Sequence, residues 1–256
     1  MAAPPFRSPD SGNGWGRHRR QPWSELDDWD RMTLATDTVL MTVIGGELHT
    51  LLYRRRDAPF ANRWALPGVF VSYPESAEKA AHRALRDKCG LTFTGRLERL
   101  DWSWEPGRDP RGWVGCVTMM ALQPADDVRP AIEAIPGVTL ARIDVPWPGE
   151  TGGPVHIEVG GKAVKLAFSH ADIVATAVKR LRGKLRWTET ALDLMPPTFT
   201  LSALQQTYQA VLGEAVNRVT FRRLVRDTLN LIEPTGELQS EVKHRPAELF
   251  RRRPSS

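Results

Sequence analysis

One stretch, residues 64–91, limits the fold more than any other: WALPGVFVSYPESAEKAAHRALRDKCGL. It reads as a loop, then a helix, then a helix end at Gly90, where glycine supplies the left-handed backbone that terminates helices. Ala84, Asp87 and Lys88 stand at i, i+3 and i+4, so they share one helix face.

β-rich segments flank this unit. DTVLMTVIGGELHTLLYRRR holds two apolar runs about Gly45-Gly46, the signature of a hairpin whose turn needs positive φ. RLERLDWSWEPGRDPRGWVGCVTMMAL reads as strand, loop, strand, and VHIEVGGKAVKLAF as a hairpin turning at Gly160-Gly161. HADIVATAVKRLRGKL spaces Ile173, Val174, Ala177, Val178, Leu181 and Leu185 along one helix face. Lys179, Arg180, Arg182 and Lys184 are expected on the opposite, solvated side. Strands with interspersed helices over residues 34–192 make one α+β domain.

A chain of 256 residues has room for one large domain or two modest ones. Its net charge of +5 suits either a polyanionic partner or an arginine-rich solvated surface. Cys89 and Cys116 are too few for a zinc site or a disulfide framework, so both thiols are expected to pack as small hydrophobes. No apolar run approaches the roughly 20 residues of a membrane span. The expected location is cytoplasmic, with no membrane partner. MAAPPFRSPDSGNGWGRHRR lacks a signal-peptide core, and residues 1–33 read as a disordered tail. Its RHRR run either touches DNA or stays solvated.

Pro196-Pro197 breaks the pattern and reads as a linker into residues 193–256. There LSALQQTYQAVLG is a helix ending at Gly213, followed by a short link and NRVTFRRLVRDTLN. Asn217 can cap the second helix. Phe221, Leu224, Val225 and Thr228 form one face; Arg222, Arg223 and Arg226 form the other. Helix, tight turn and capped basic helix signal a helix-turn-helix. Short strands about Thr235-Gly236 would make a wing, with Lys243 and Arg245 on it or just after. From residue 200 onward nine basic residues against six acids leave +3. The DNA-binding set is therefore Asn217, Arg218, Thr220, Arg222, Arg223, Arg226, Lys243 and Arg245. A solvated face or a protein-contact module is the alternative.

The stretch that opens the chain's logic resembles the Nudix box, the metal-and-phosphate motif of nucleoside-diphosphate hydrolases. Glu75, Arg83, Leu85, Gly90 and Leu91 fit its pattern, and Val69 stands where the pattern has glycine. The resemblance implies that Glu75 and Arg83 brace the loop–helix–loop, with Asp87 and Gly90 also structural. Three carboxylates on the shared helix face would gather hard divalent cations and activate water. Here that face reads Ala84, Asp87 and Lys88, so metal-assisted hydrolysis is not expected and no metal or cofactor is assigned. Lys88 could instead attract a diphosphate. An active hydrolase would need acids from nearby loops, such as Asp101, Glu105 or Asp109.

Taken in order, WALPGVFV, RDPRG, LAFSHADI, RLRGKL, FTLSALQQTYQAVLG, TFRR and RPAELFR resemble the Nudix-related transcriptional regulators, the NrtR family. The resemblance covers about Asp37 to Arg251. It implies a Nudix-like α/β/α sandwich with a C-terminal winged helix-turn-helix domain. It further implies a homodimer that binds operator DNA as a repressor or an activator, with a repressor of NAD-metabolism or related genes the leading expectation, and that responds to a small nucleotide such as ADP-ribose. By family similarity RDPRG lies near the ligand cleft, and the effector set is Arg63, Phe70, Lys88, Arg108, Asp109 and Arg111. Arg108 and Arg111 would meet phosphate or ribose, with Asp109 orienting one of them; a loop salt bridge is the alternative. The competing function is an active ADP-ribose hydrolase with an accessory winged helix.

Overall fold

The structure, a computed structural model, describes residues 31–239 and 246–254. The tail assigned to residues 1–33 lies outside them up to residue 30, as do Lys243 and Arg245. β1 (Thr33–Ile44) is the axis of a mixed sheet. On one side it pairs in parallel with β6 (Val114–Leu122), from Thr33 opposite Val114 to Met41 opposite Leu122. Its other edge is shared by two partners. β4 (Gly68–Phe70) pairs antiparallel with Ala35–Asp37, and β2 (Glu47–Arg54) with Met41–Ile44. The handover opens the sheet, because β3 (Trp64–Ala65) follows β2 while β4 follows β1.

The expected glycine-pair hairpins form. Gly45 and Gly46 take φ of 59° and 82° between β1 and β2. Gly160 and Gly161 take 57° and 73° between β8 (His156–Val159) and β9 (Lys162–Val164). β5 (Glu98–Ser103) borders β6, and β7 (Val138–Asp144) joins β2 to β8.

The period-2 pattern of the strands decides what covers each face. Leu40 and Leu51 point to a cluster with Leu85 and Cys89 of α1 (Ala77–Cys89) and Val128 and Ala131 of α2 (Ala125–Ala134). Val39, Met41, Leu48 and Leu52 point the other way, to Val174, Val178, Leu181 and Leu185 of α3 (His170–Leu185). The result is the α/β/α sandwich. Each fully buried Leu or Val adds roughly 2 kcal/mol. α2 was not foreseen: Pro130 sits inside it and hides the helical signal.

Arg182 corrects the reading of α3. It is 1% exposed, not solvated. Position 182 lies one turn beyond Val178 and beside Leu181, so it shares their buried face. The solvated side of α3 keeps Lys179 and Arg180, with Lys184 half-buried.

After a 3-10 turn (Thr190–Leu194) and Pro196-Pro197 comes a three-stranded antiparallel sheet, order β10 (Thr198–Thr200), β12 (Glu248–Arg252), β11 (Ile232–Leu238). α4 (Leu201–Leu212) starts at the Thr200 cap and stops at Gly213, φ 73°. α5 (Arg218–Arg223) follows, continued by a π-helical turn (Leu224–Thr228). That wider turn rotates Thr228 into solvent, off the apolar face expected for it. Thr235-Gly236 also departs from expectation. It lies inside β11, where Gly236 (φ 83°) accommodates an irregularity in register, and the strand runs on to Leu238, which pairs with Glu248 of β12. One apolar cluster runs from Val39 through Tyr208 and Phe221 to Phe250, crossing Pro196-Pro197 without a break. Among the described residues no helix is long and apolar enough to cross a membrane.

Candidate functional site

The split edge of β1 becomes a cleft of about 600 Å³, within the usual range for small-molecule sites. Its floor is Asp37, a lone acid in an otherwise apolar and threonine-rich strand. Oδ2 of Asp37 accepts from Cys116 Sγ at 3.2 Å and from Arg108 Nη2 at 3.3 Å, and lies 3.5 Å from His170 Nε2. His170 Nδ1 accepts the Leu66 backbone N–H at 2.9 Å, which leaves Nε2 to face the carboxylate. Burial alone would raise the Asp37 pKa. The His170 imidazole, the Cys116 thiol and the Arg108 guanidinium more than offset that and hold it at about 2. Burial pushes the Cys116 thiol up, which makes it a packing group and not a nucleophile.

Gly68 explains how close the strands come. A Cβ there would stand 2.0 Å from Asp37 Oδ1, so glycine is required at 68 and Val69 is free to be a side chain.

The wall is built by RDPRG. Asp109, 4% exposed, accepts from the Arg111 backbone N–H and Nε at Oδ1, both 2.9 Å, and from Nη2 at Oδ2, 2.6 Å. Burial pushes the Asp109 carboxyl up, but these Arg111 bonds bring it below its ordinary range. The Arg111 guanidinium lies 4.7 Å from the Phe70 ring and 5.6 Å from the Phe168 ring. Arg55 covers Phe168 at 5.0 Å. Of the expected effector residues, Phe70, Lys88, Arg108, Asp109 and Arg111 line this cleft. Arg63 is not brought to it; its guanidinium packs over Phe60 at 5.3 Å on the outer loop. Sequence reasoning missed Asp37, Arg55, Phe168 and His170. The isolated acid in β1 was the one available signal.

The box helix is braced as expected. Arg83 Nε donates to Glu75 Oε2 at 3.1 Å and Nη2 to the Phe70 carbonyl at 2.8 Å, while Glu75 Oε1 takes the Ser72 N–H at 2.8 Å. Gly90 ends the helix at φ 64°. The face that would hold divalent cations is different in kind. Ala84 is fully buried, Asp87 pairs with Arg86 at 3.0 Å, and Lys88 extends over Tyr53 at 5.8 Å. One carboxylate beside an ammonium does not fit a hard divalent ion. Asp101 and Glu105 do not line the cleft, and Asp109 spends both oxygens on Arg111.

The second surface is the outer face of α5. Asn217 Oδ1 accepts from Val219 N–H at 2.9 Å and Thr220 N–H at 3.1 Å, a helix cap that seats the first turn. Phe221 anchors the inner face against Tyr208, edge-on at 5.1 Å. Arg218, Thr220, Arg222, Arg223 and Arg226 are exposed outside, with Arg226 5.9 Å from the Phe250 ring. Gln205 Nε2 donates to the Val216 carbonyl, and Val216 N–H to Gln209 Oε1, fixing the turn between α4 and α5.

Comparison with known proteins places this architecture. Residues 191–252 match the model of the NrtR DNA-binding winged helix domain. Over 229 residues the chain is 32% identical to the ADPR responsive transcriptional repressor NtrR of Acinetobacter baylyi, covering 89% of this chain and 84% of that one. The chain belongs to the NrtR family. Its fold agrees with the crystal structure of Shewanella oneidensis NrtR complexed with a 27mer DNA, at a TM-score of 0.70 and 28% identity over 86% of this chain and 93% of that one. A MutT/nudix family protein from Enterococcus faecalis shares the fold, at a TM-score of 0.73 and 22% identity over 92% and 95% of the two chains. The NrtR arrangement therefore spans the Nudix-like sandwich and the winged helix together.

Proposed function

We propose that this NrtR-family chain is a ligand-responsive DNA-binding transcriptional repressor. Residues 34–192 sense a nucleotide, ADP-ribose or a close relative, without cleaving it, and residues 193–256 bind the operator. The observation that carries the reading is the pairing of a formed cleft with a disabled metal face. Arg111 and Arg108 stand ready for phosphate oxygens, yet Ala84 and Lys88 replace the carboxylates that hydrolysis needs. Charge-assisted bonds from a guanidinium suit a diphosphate, and the Phe70 and Phe168 rings offer flat apolar surface to a base or ribose.

The winged helix would position itself on phosphates through Arg218, Arg222, Arg223 and Arg226, and read base edges from the first turns of α5. A two-fold homodimer would present two such helices to a near-palindromic operator. Such a regulator works in the cytoplasm, on NAD-metabolism or related genes. Effector releases DNA only by binding the DNA-incompetent arrangement more tightly, with coupling of about 1–3 kcal/mol.

³¹P NMR of ADP-ribose with the protein and excess Mg²⁺ tests the sensor assignment. Broadened or shifted diphosphate signals without new phosphomonoester signals are expected. Phosphomonoester signals would establish the hydrolase reading instead.

A further inference from the structure

α3 runs from the cleft to α4, the helix that precedes α5. Its first residue, His170, stands in the cleft against Asp37. Arg182, twelve residues on and so about 18 Å along the axis, is the largest of the fully buried side chains. Its Nε donates to the Val211 carbonyl at 2.7 Å, and its Nη1 to the carbonyls of Trp147 at 2.8 Å and Gly149 at 3.1 Å. The guanidinium stacks 4.6 Å from the Trp147 ring. All of these acceptors are backbone carbonyls.

That pattern is unusual for a buried cation, which ordinarily takes a carboxylate partner. Burial pushes the Arg182 pKa down, and only Glu214 acts against it. An apolar side chain there would leave these carbonyls without their donor. What the guanidinium supplies is direction. Val211 belongs to the last turn of α4, where carbonyls lack helical partners and carry the negative end of the helix dipole. The next residues are Leu212 and Gly213, and a Cβ on Gly213 would stand 2.8 Å from Arg182 Nη2. Four residues after Gly213, Asn217 opens α5. Val178 and Leu181 of α3 and Leu204 of α4 belong to one apolar cluster, whose attraction is non-directional.

We propose that α3 is the rod linking the effector cleft to the winged helix, and that Arg182 is the positioning residue at its output end. Arg182 sets the angle of α4 and hence of α5, and a shift of the His170 end on effector binding reaches the DNA-binding face through it. This rests on the functional reading above.

The test uses the full chain, ADP-ribose, and a duplex that the protein selects from a random-sequence pool. Three quantities are measured: ADP-ribose affinity by calorimetry, duplex affinity by anisotropy, and the factor by which saturating ADP-ribose weakens duplex binding. In the wild type that factor is expected at about tenfold or more, within the usual range of coupling. Arg182→Met preserves apolar bulk and removes the directional bonds. It is expected to bind ADP-ribose within about twofold of wild type while the coupling factor falls below about twofold. Gly213→Ala disturbs the same contact from the exposed side and is expected to lose coupling in the same way, so it decides the matter should Arg182→Met fail to fold. Wild-type coupling in a folded Arg182→Met or in Gly213→Ala overturns the rod. A wild type that binds both ligands with no coupling overturns the functional reading, and the rod with it.

Discussion

Asp109 and Arg111 are two residues apart and joined three times: one carboxylate oxygen takes the Arg111 backbone N–H and Nε, the other takes Nη2. The loop thereby fixes a guanidinium that would otherwise sweep a wide arc, and it fixes it beside Phe70 and Phe168. Pre-organisation of this kind raises affinity by lowering the ordering cost at binding. Asp109→Asn should leave the fold intact and weaken ADP-ribose binding about tenfold, which is roughly 1.4 kcal/mol. Calorimetry reads this directly, and unchanged affinity would remove Arg111 from the site.

Asp37 makes stability depend on acid. Its pKa lies at about 2 in the fold, below its ordinary 3.8. The stabilisation is therefore fully present above pH 3.8 and is lost as pH falls through 2. At 1.36 kcal/mol per unit it amounts to roughly 2 kcal/mol. Asp37→Asn lacks this dependence. The gap in unfolding free energy between wild type and Asp37→Asn, from urea melts, should narrow by about 1 kcal/mol between pH 6 and pH 3. A gap that stays constant would mean that Asp37 is not held ionised by its neighbours.

On α5, Arg222 and Arg223 project into solvent from a helix whose packing rests on Phe221 and Val225. Replacing both with alanine should leave the thermal midpoint within a few degrees and abolish duplex binding. Anisotropy over a salt series also tests the mode. Wild-type affinity should fall steeply as salt rises, since phosphate contacts release counterions. Retained affinity in the double variant would move the DNA-binding face elsewhere.

What the sequence disclosed follows from how locally each feature is encoded. Glycine pairs, the Asn217 cap and the Gly90 stop are set within a few residues and formed as expected, and the Glu75–Arg83 brace that the Nudix resemblance implied is present. The features that escaped depend on distant partners. Asp37 and His170 belong to opposite ends of the sandwich sequence and meet only because β1 splits its edge between β4 and β2. The charge of Arg182 points to solvent, whereas its place one turn after Val178 points inward, and it is buried. Thr235-Gly236 looked like a turn because glycine at positive φ serves a strand irregularity as readily as a hairpin. The box was legible as a frame, but the burial of Ala84 against the sheet required the packed helix.

In the proposed function one chain binds nucleotide in the cleft and DNA on α5, and the first governs the second. Adding ADP-ribose to the protein on its selected duplex, with anisotropy as the readout and Mg²⁺ absent, tests that most directly. Saturable release of the duplex, with about a tenfold or greater loss of affinity, is the predicted result. Duplex binding indifferent to ADP-ribose at saturation would mean that the cleft does not govern α5.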